Sequence, residues 1–195
     1  YVQDDPNLRD RTIVLALNSE NSELARRLSE YALQKRAGDP GTYLTVAALK
    51  EYQKDPAGAR QAALKALDIK ADYQPALNAL GNLSRSTEEQ RELLGRYEQA
   101  IATKPSTPAT YLTYMRLVRS MRSDESKIIV ALENGIAANP TATAIRATLI
   151  DELLRDGKFD NALSVAQSGA SITNAPAELS GLLAATYERL GKTEQ

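Results

Sequence analysis

Apolar residues recur along this chain in short bursts spaced by three and four, the period of one helix face. "GTYLTVAALKEY" carries Tyr43, Val46 and Ala47 on one side, and "PALNALGNL" carries Leu77, Leu80 and Gly81. The two sets lie 34 residues apart, and the same shift leads to Tyr111, Tyr114 and Met115. One extra residue near "SMRSDES" moves the next copy to Arg146, Leu149 and Ile150; a further 34 lands on Ser180, Leu183 and Ala184. Each burst is followed by a second, spaced i, i+4, i+7. These are Ala59, Ala63 and Ala66; Leu93, Tyr97 and Ala100; Ile128, Leu132 and Gly135; Ala162, Ala166 and Gly169. Every period therefore predicts two short amphipathic helices, about eleven in all, with no sheet.

The polar punctuation agrees. Asp39-Pro40 and Asp55-Pro56 read as an N-cap followed by the first helical residue. Lys54-Asp55-Pro56, Asp156-Gly157 and Gly191 mark turns. Small residues at Ala47, Ala59, Ala66, Gly81, Ala100, Ala162 and Ala184 predict close helix crossings, since backbones approach only where side chains are short. The predicted units are 6–39, 40–73, 74–107, 108–142 and 143–176, with a half unit at 177–195, all in one array. In the first unit Ala25 and Ala32 keep the second-helix spacing, whereas "LRDRTIVLALN" fits the first-helix pattern poorly. "GLLAATYERLGKTEQ" reads as the first helix of a sixth unit, so the chain is expected to be a piece of a longer array.

This pattern resembles the tetratricopeptide repeat (TPR) over about residues 40–195, with 6–39 in weaker register. The sequence departs from that pattern in having no Trp, in Arg146 and Ser180 at the large-aromatic position, and in Ala71 and Asn174 where Pro is usual. The resemblance implies an all-α, right-handed superhelical solenoid of antiparallel helix pairs, about five and a half repeats long. It further implies a binding scaffold whose concave groove is lined by the first helices. "ALKALDIKADYQPALNALGNL" and "ALENGIAANPTATAIRATLIDELLRDGKFDNALSVAQ" also resemble the long TPR proteins of bacterial cell envelopes that accompany exopolysaccharide secretion and PEP-CTERM export. That finer resemblance implies a periplasmic or envelope location. A cytoplasmic adaptor or regulator and a purely structural spacer are the competing readings.

Composition removes most chemistry. The chain has no Cys and no His, so no Ser-His-Asp or Cys-His nucleophile system and no conventional zinc site can form. No titrating imidazole provides a switch between about pH 5 and 8. "GKT" at 191–193 matches the tail of a phosphate-binding loop, but Thr186 stands where that loop needs glycine. No catalytic residue, metal or cofactor is expected. With 24 basic and 25 acidic residues, no overall field draws the chain to nucleic acid. No apolar run approaches the roughly 18 residues that cross a bilayer. The tyrosines at 43, 97, 111 and 187 occupy packing positions, leaving Tyr52 and Tyr114 undecided.

The first helices leave a second face open at i, i+4, i+7. It carries Asn78, Asn82 and Arg85 in one unit and Leu112, Arg116 and Arg119 in the next. Acidic positions flank this basic middle: Glu51, Asp151 and Glu188. Guanidinium forks and amides suit carboxylates and backbone groups. The expected site is therefore Asn78, Asn82, Arg85, Arg116 and Arg119, for a protein or peptide partner of acidic or amide-rich character; the competing reading of the same face is a plain solvated surface. Self-association is left open. Arg155 lies outside this face and is expected to matter little. The Lys of the carboxylate clamp found in chaperone-binding TPR domains is missing, so that ligand is not carried over.

Overall fold

The computed structural model describes Ile13, Ala16 and residues 21–102 and 106–191. Among these residues every regular element is a helix, and ten are bounded. They are α1 (Ser22–Lys35), α2 (Pro40–Tyr52), α3 (Pro56–Ile69), α4 (Gln74–Leu83), α5 (Thr87–Ala102), α6 (Pro108–Ser120), α7 (Ser126–Ala138), α8 (Thr143–Arg155), α9 (Phe159–Ala170) and α10 (Ala177–Arg189). The expected helix "LRDRTIVLALN" lies outside the described residues, apart from Ile13 and Ala16, which are helical. The chain divides into two compact units, Tyr1–Ala100 and Ile101–Gln195. In the first, α1 packs on α2, α2 on α3, α3 on α4, and the first helices α2 and α4 meet. In the second, α6 through α10 pack each on the next, while α6 meets α8 and α8 meets α10.

The boundaries follow local chemistry. Asp39 Oδ1 accepts from Gly41 N at 3.0 Å, and Asp55 Oδ1 accepts from Gly58 N at 2.8 Å, each ahead of a proline that opens the helix. These bonds satisfy amides that a helix start leaves without intrahelical partners. The turn between the two helices of a unit needs a left-handed residue, which glycine supplies without steric cost. Gly157 (φ 70°) and Gly191 (φ 66°) fill that slot, and Lys54 (φ 58°) and Arg122 (φ 49°) hold it elsewhere. The unit containing α4 departs from this plan. Ser84 Oγ donates to Leu80 O at 2.7 Å, and Glu89 accepts from the amides of Arg85 and Ser86, both at 2.8 Å. Ser86 Oγ in turn accepts from Glu89 N at 3.2 Å. This capping box starts α5 early and leaves α4 short.

All twelve second-helix positions predicted from the i, i+4, i+7 spacing are buried, from Ala59 through Gly169. The first helices bury a line the hydrophobic pattern does not reveal. Thr42, Ala76, Thr110, Ile145 and Leu179 fall one residue before the predicted stripe, and each is 0% exposed. Thr42 bonds back to Asp39 at 3.3 Å and Thr110 to Thr107 at 3.1 Å. Their hydroxyls are thus satisfied inside the helix start, which lets a polar residue occupy the core.

Two crossing points differ from expectation: Gly81 and Ala184 are exposed. The tight crossings sit at Gly135 and Gly169. A Cβ on Gly135 would stand 3.0 Å from the Tyr111 ring and 3.2 Å from Ile145, and one on Gly169 would stand 2.6 Å from Arg146 Cδ. In the first unit the matching positions are Ala66 and Ala100. The large first-helix residues Tyr111 and Arg146 are thus accommodated by removing a methyl from the facing helix. Tyr97, Tyr111 and Tyr114 are buried, Tyr43 and Tyr187 are half-buried, and Tyr52 is exposed.

Candidate functional site

The face assigned from sequence starts on α4, where Asn78 and Asn82 are both exposed. Asn78 Oδ1 accepts from Gln74 Nε2 at 2.9 Å, one turn back. Arg85 is also exposed but lies in the link 84–86 beyond the end of α4, where its backbone amide is held by Glu89. The arithmetic that stacks Arg85 on Arg119 therefore joins a loop residue to a helical one. The early capping box is the physical reason.

Arg116 and Arg119 lie on α6, in the second unit. Arg116 is exposed and folds along its own helix, donating to Leu112 O at 3.3 Å and Thr113 Oγ1 at 3.1 Å. Arg119 is half-buried and reaches the carboxylate of Glu152 on α8 through its Nη2. Arg155 grips the same carboxylate at 2.9 and 3.1 Å. Glu152 is only 6% exposed. A buried carboxylate needs compensating charge, and here two arginines from neighbouring first helices supply it. Arg119 and Arg155 are thus members of one clamp, so Arg155 cannot serve as the neutral position expected of it.

Charge at other buried positions was not legible as such. Arg60 on α3 is 8% exposed; it donates to Ser84 Oγ at 2.8 Å and Glu89 O at 3.3 Å, and pairs with Glu92 on α5. Arg146 is 3% exposed and donates to Val165 O at 2.7 Å, Ser168 Oγ at 2.8 Å and Pro140 O at 3.0 Å. Its Nε has no partner among the described residues, and burial pushes its guanidinium pKa down. The repeat spacing already put Arg146 on the packing stripe, but only packing shows the charged head going in with it.

Within the second unit the α8–α9 turn and the end of α10 enclose an open cavity of about 480 Å³. Phe159, 54% exposed, stands on its wall with Lys158, Asn161, Arg189 and Leu190. Among the described residues no group of three carboxylates, histidines or cysteines is placed to hold a metal ion. None of their helices is long and apolar enough to cross a membrane.

Repeated helix pairs whose first helices meet within each unit define a helical-repeat fold of the tetratricopeptide kind. Solved structures bear this out. The flexible tandem repeat domain of a bacterial cellulose synthase component matches with a TM-score of 0.60 at 17% identity, over 98% of this chain and 96% of that one. YrrB, a TPR protein with an unusual peptide-binding site, matches with a TM-score of 0.50 at 18% identity over 85% of both chains. PilF of Pseudomonas aeruginosa matches with a TM-score of 0.52 at 16% identity, over 96% of this chain and 86% of its own. No protein-family model matches the sequence, and no curated protein matches it with significance.

Proposed function

We propose that this chain is a non-catalytic scaffold that binds a partner protein or peptide along the exposed faces of its first helices. The observation that carries the reading is the fold itself: paired helices matching a solved tandem-repeat domain over 98% of the chain. Such an array offers extended surface rather than an enclosed reaction site. Asn78, Asn82 and Arg85 are the contact residues of the first unit. Arg116 is that of the second, with Arg119 shared between this role and the Glu152 clamp. Their amides and guanidinium groups suit acidic side chains and peptide carbonyls. We place the scaffold in the bacterial envelope, in complexes that export polysaccharide. In support, the matched tandem-repeat domain comes from a component of a bacterial cellulose synthase.

Binding of an acidic peptide library, with a neutral library as control, tests the reading. Arg85→Ala and Arg116→Ala each remove one charge-assisted contact worth about 1.5–3 kcal/mol. Each should weaken the acidic binders by about tenfold to a hundredfold, with unchanged melting, since both residues are exposed. Added salt should weaken the parent in the same direction. Acidic peptides that bind both variants as tightly as the parent would remove these residues from the site.

A further inference from the structure

In the first unit, α1 and α2 enclose a cavity of about 220 Å³. Its apolar walls are Leu33, Val46 and Leu49, and Arg26, Glu30 and Lys50 also line it. Ser29 lines it too, only 3% exposed, and its hydroxyl has no hydrogen-bond partner among the described residues. A buried hydroxyl left unmatched is costly, and it sits in a space large enough to receive a group that would match it.

The repeat supplies its own comparison. Moved by 34 residues, Arg26 becomes Arg60, Ser29 becomes Ala63 and Lys50 becomes Ser84. In that second slot, between α3 and α4, the arginine folds inward, donates to Ser84 Oγ at 2.8 Å and Glu89 O at 3.3 Å, and pairs with the Glu92 carboxylate on α5. In the first slot a lysine stands where that acceptor would be. Arg26 instead turns along its own helix to Glu23 at 2.8 Å and Glu30 at 2.6 Å. Arg26 has Glu23 and Glu30 on its own helix where Arg60 has Ala57 and Leu64, and Gly58 stands in place of the Glu92 carboxylate, so the space its counterpart fills stays open.

The chemistry of the open slot selects its occupant. An engineered apolar cavity of about 150 Å³ holds benzene, so about 220 Å³ takes an aromatic ring with a substituent. The two cations at its edge favour the electron-rich face of a ring. Both already hold carboxylates, Arg26 those of Glu23 and Glu30, and Lys50 that of Asp55 at 3.3 Å. An acidic side chain therefore gains little there. We propose that this slot is a pocket for a tyrosine side chain of a partner protein, its ring against Leu33, Val46 and Leu49 and its hydroxyl on Ser29. The pocket is separate from the Asn78–Arg119 faces and does not rest on that assignment.

The test is a methyl-detected nuclear magnetic resonance titration of the full chain with p-cresol, the tyrosine side chain alone, and with toluene. In the parent, p-cresol should shift the methyls of Leu33, Val46 and Leu49 saturably and bind more tightly than toluene. Ser29→Ala should weaken p-cresol about three- to tenfold, the range of one neutral hydrogen bond, and leave toluene unchanged. Val46→Phe, which fills the slot from its apolar wall, should abolish the p-cresol shifts of the Leu33 and Leu49 methyls. Four results would each overturn the pocket. They are no saturable shift in the parent, as for a gap holding water only; toluene binding as well as p-cresol; p-cresol indifferent to Ser29→Ala; or parental p-cresol affinity in Val46→Phe.

Discussion

Lys54 and Arg122 hold the left-handed turn that glycine holds at 157 and 191. For a residue with a Cβ that conformation costs about 1–2 kcal/mol, while glycine returns about 0.5–1 kcal/mol through its freer unfolded chain. Lys54→Gly and Arg122→Gly should therefore each raise stability by about 0.5–1 kcal/mol, and Gly157→Ala should lower it. Thermal melts of the three variants against the parent decide the matter. Asp55 is the second residue-scale case. Its bond from the Gly58 amide, and then the Lys50 ammonium, hold its carboxyl below the ordinary 3.8. A depressed carboxylate contributes stability above the unfolded value and loses it as pH falls through the folded one. The melting temperature should therefore drop as pH falls below about 4, and Asp55→Asn, which caps without titrating, should flatten that part of the curve. If the two melting curves fall by the same amount between about pH 6 and about pH 2, Asp55 is dismissed as a contributor.

Between elements, the glycines fall into two groups that sequence cannot separate. A Cβ at Gly95 or Gly181 meets open space, whereas one at Gly135 or Gly169 meets Tyr111, Ile145 or Arg146. In α5 and α10 the alanine variants Gly95→Ala and Gly181→Ala should stabilise by about 0.5–1 kcal/mol from helix propensity alone. Gly135→Ala and Gly169→Ala should destabilise by about 1–3 kcal/mol, the usual cost of overpacking. Denaturant unfolding of the four variants should show opposite signs for the two pairs. The buried Arg146 opposite Gly169 extends the point. Arg146→Met keeps its length without its charge and should cost far less than Arg146→Ala, which leaves a cavity worth about 2–4 kcal/mol. Equal losses in the two variants would mean that the guanidinium hydrogen bonds, rather than the volume, hold α8 to α9.

At the scale of the molecule, an array of this kind is held together by contacts between neighbouring repeats. In the second unit one such contact is the clamp of Arg119 and Arg155 on Glu152. Arg119→Ala cuts the link from α6 to α8 and leaves a buried carboxylate with a single, more exposed partner. That should cost about 1–3 kcal/mol, below the cost of orphaning a fully buried charge because Arg119 is partly exposed. Arg155→Ala removes a partner from the same helix and should cost less. Urea melts of the two variants, with slopes compared for loss of cooperativity, report the difference. If Arg155→Ala destabilises as much as Arg119→Ala, the carboxylate is held within α8 and the repeats are joined by apolar contact alone.

Periodicity was enough to specify two helices per unit, their caps at Asp39 and Asp55, and the second-helix core from Ala59 to Gly169. A helix buries one stripe, and the stripe recurs at a fixed spacing whatever its partner. The first-helix line through Thr42, Ala76, Thr110, Ile145 and Leu179 stayed hidden because two of its members are polar and become buried only by bonding back to the helix start. Arg85 left its expected face because Glu89 starts α5 early, a choice made by two competing caps rather than by hydrophobic spacing. Exposed Asn78, Asn82 and Arg116 were readable as polar positions on a helix face. The commitment of Arg119 to Glu152, the inward turn of Arg60 and the outward turn of Arg26 were not. Those depend on which acceptor is in reach: for Arg119 and Arg60 it belongs to another segment tens of residues away, and for Arg26 it lies one turn along its own helix. Local spacing determines which side of a helix is covered; only the assembled neighbours decide what each charged side chain can reach once that side is closed.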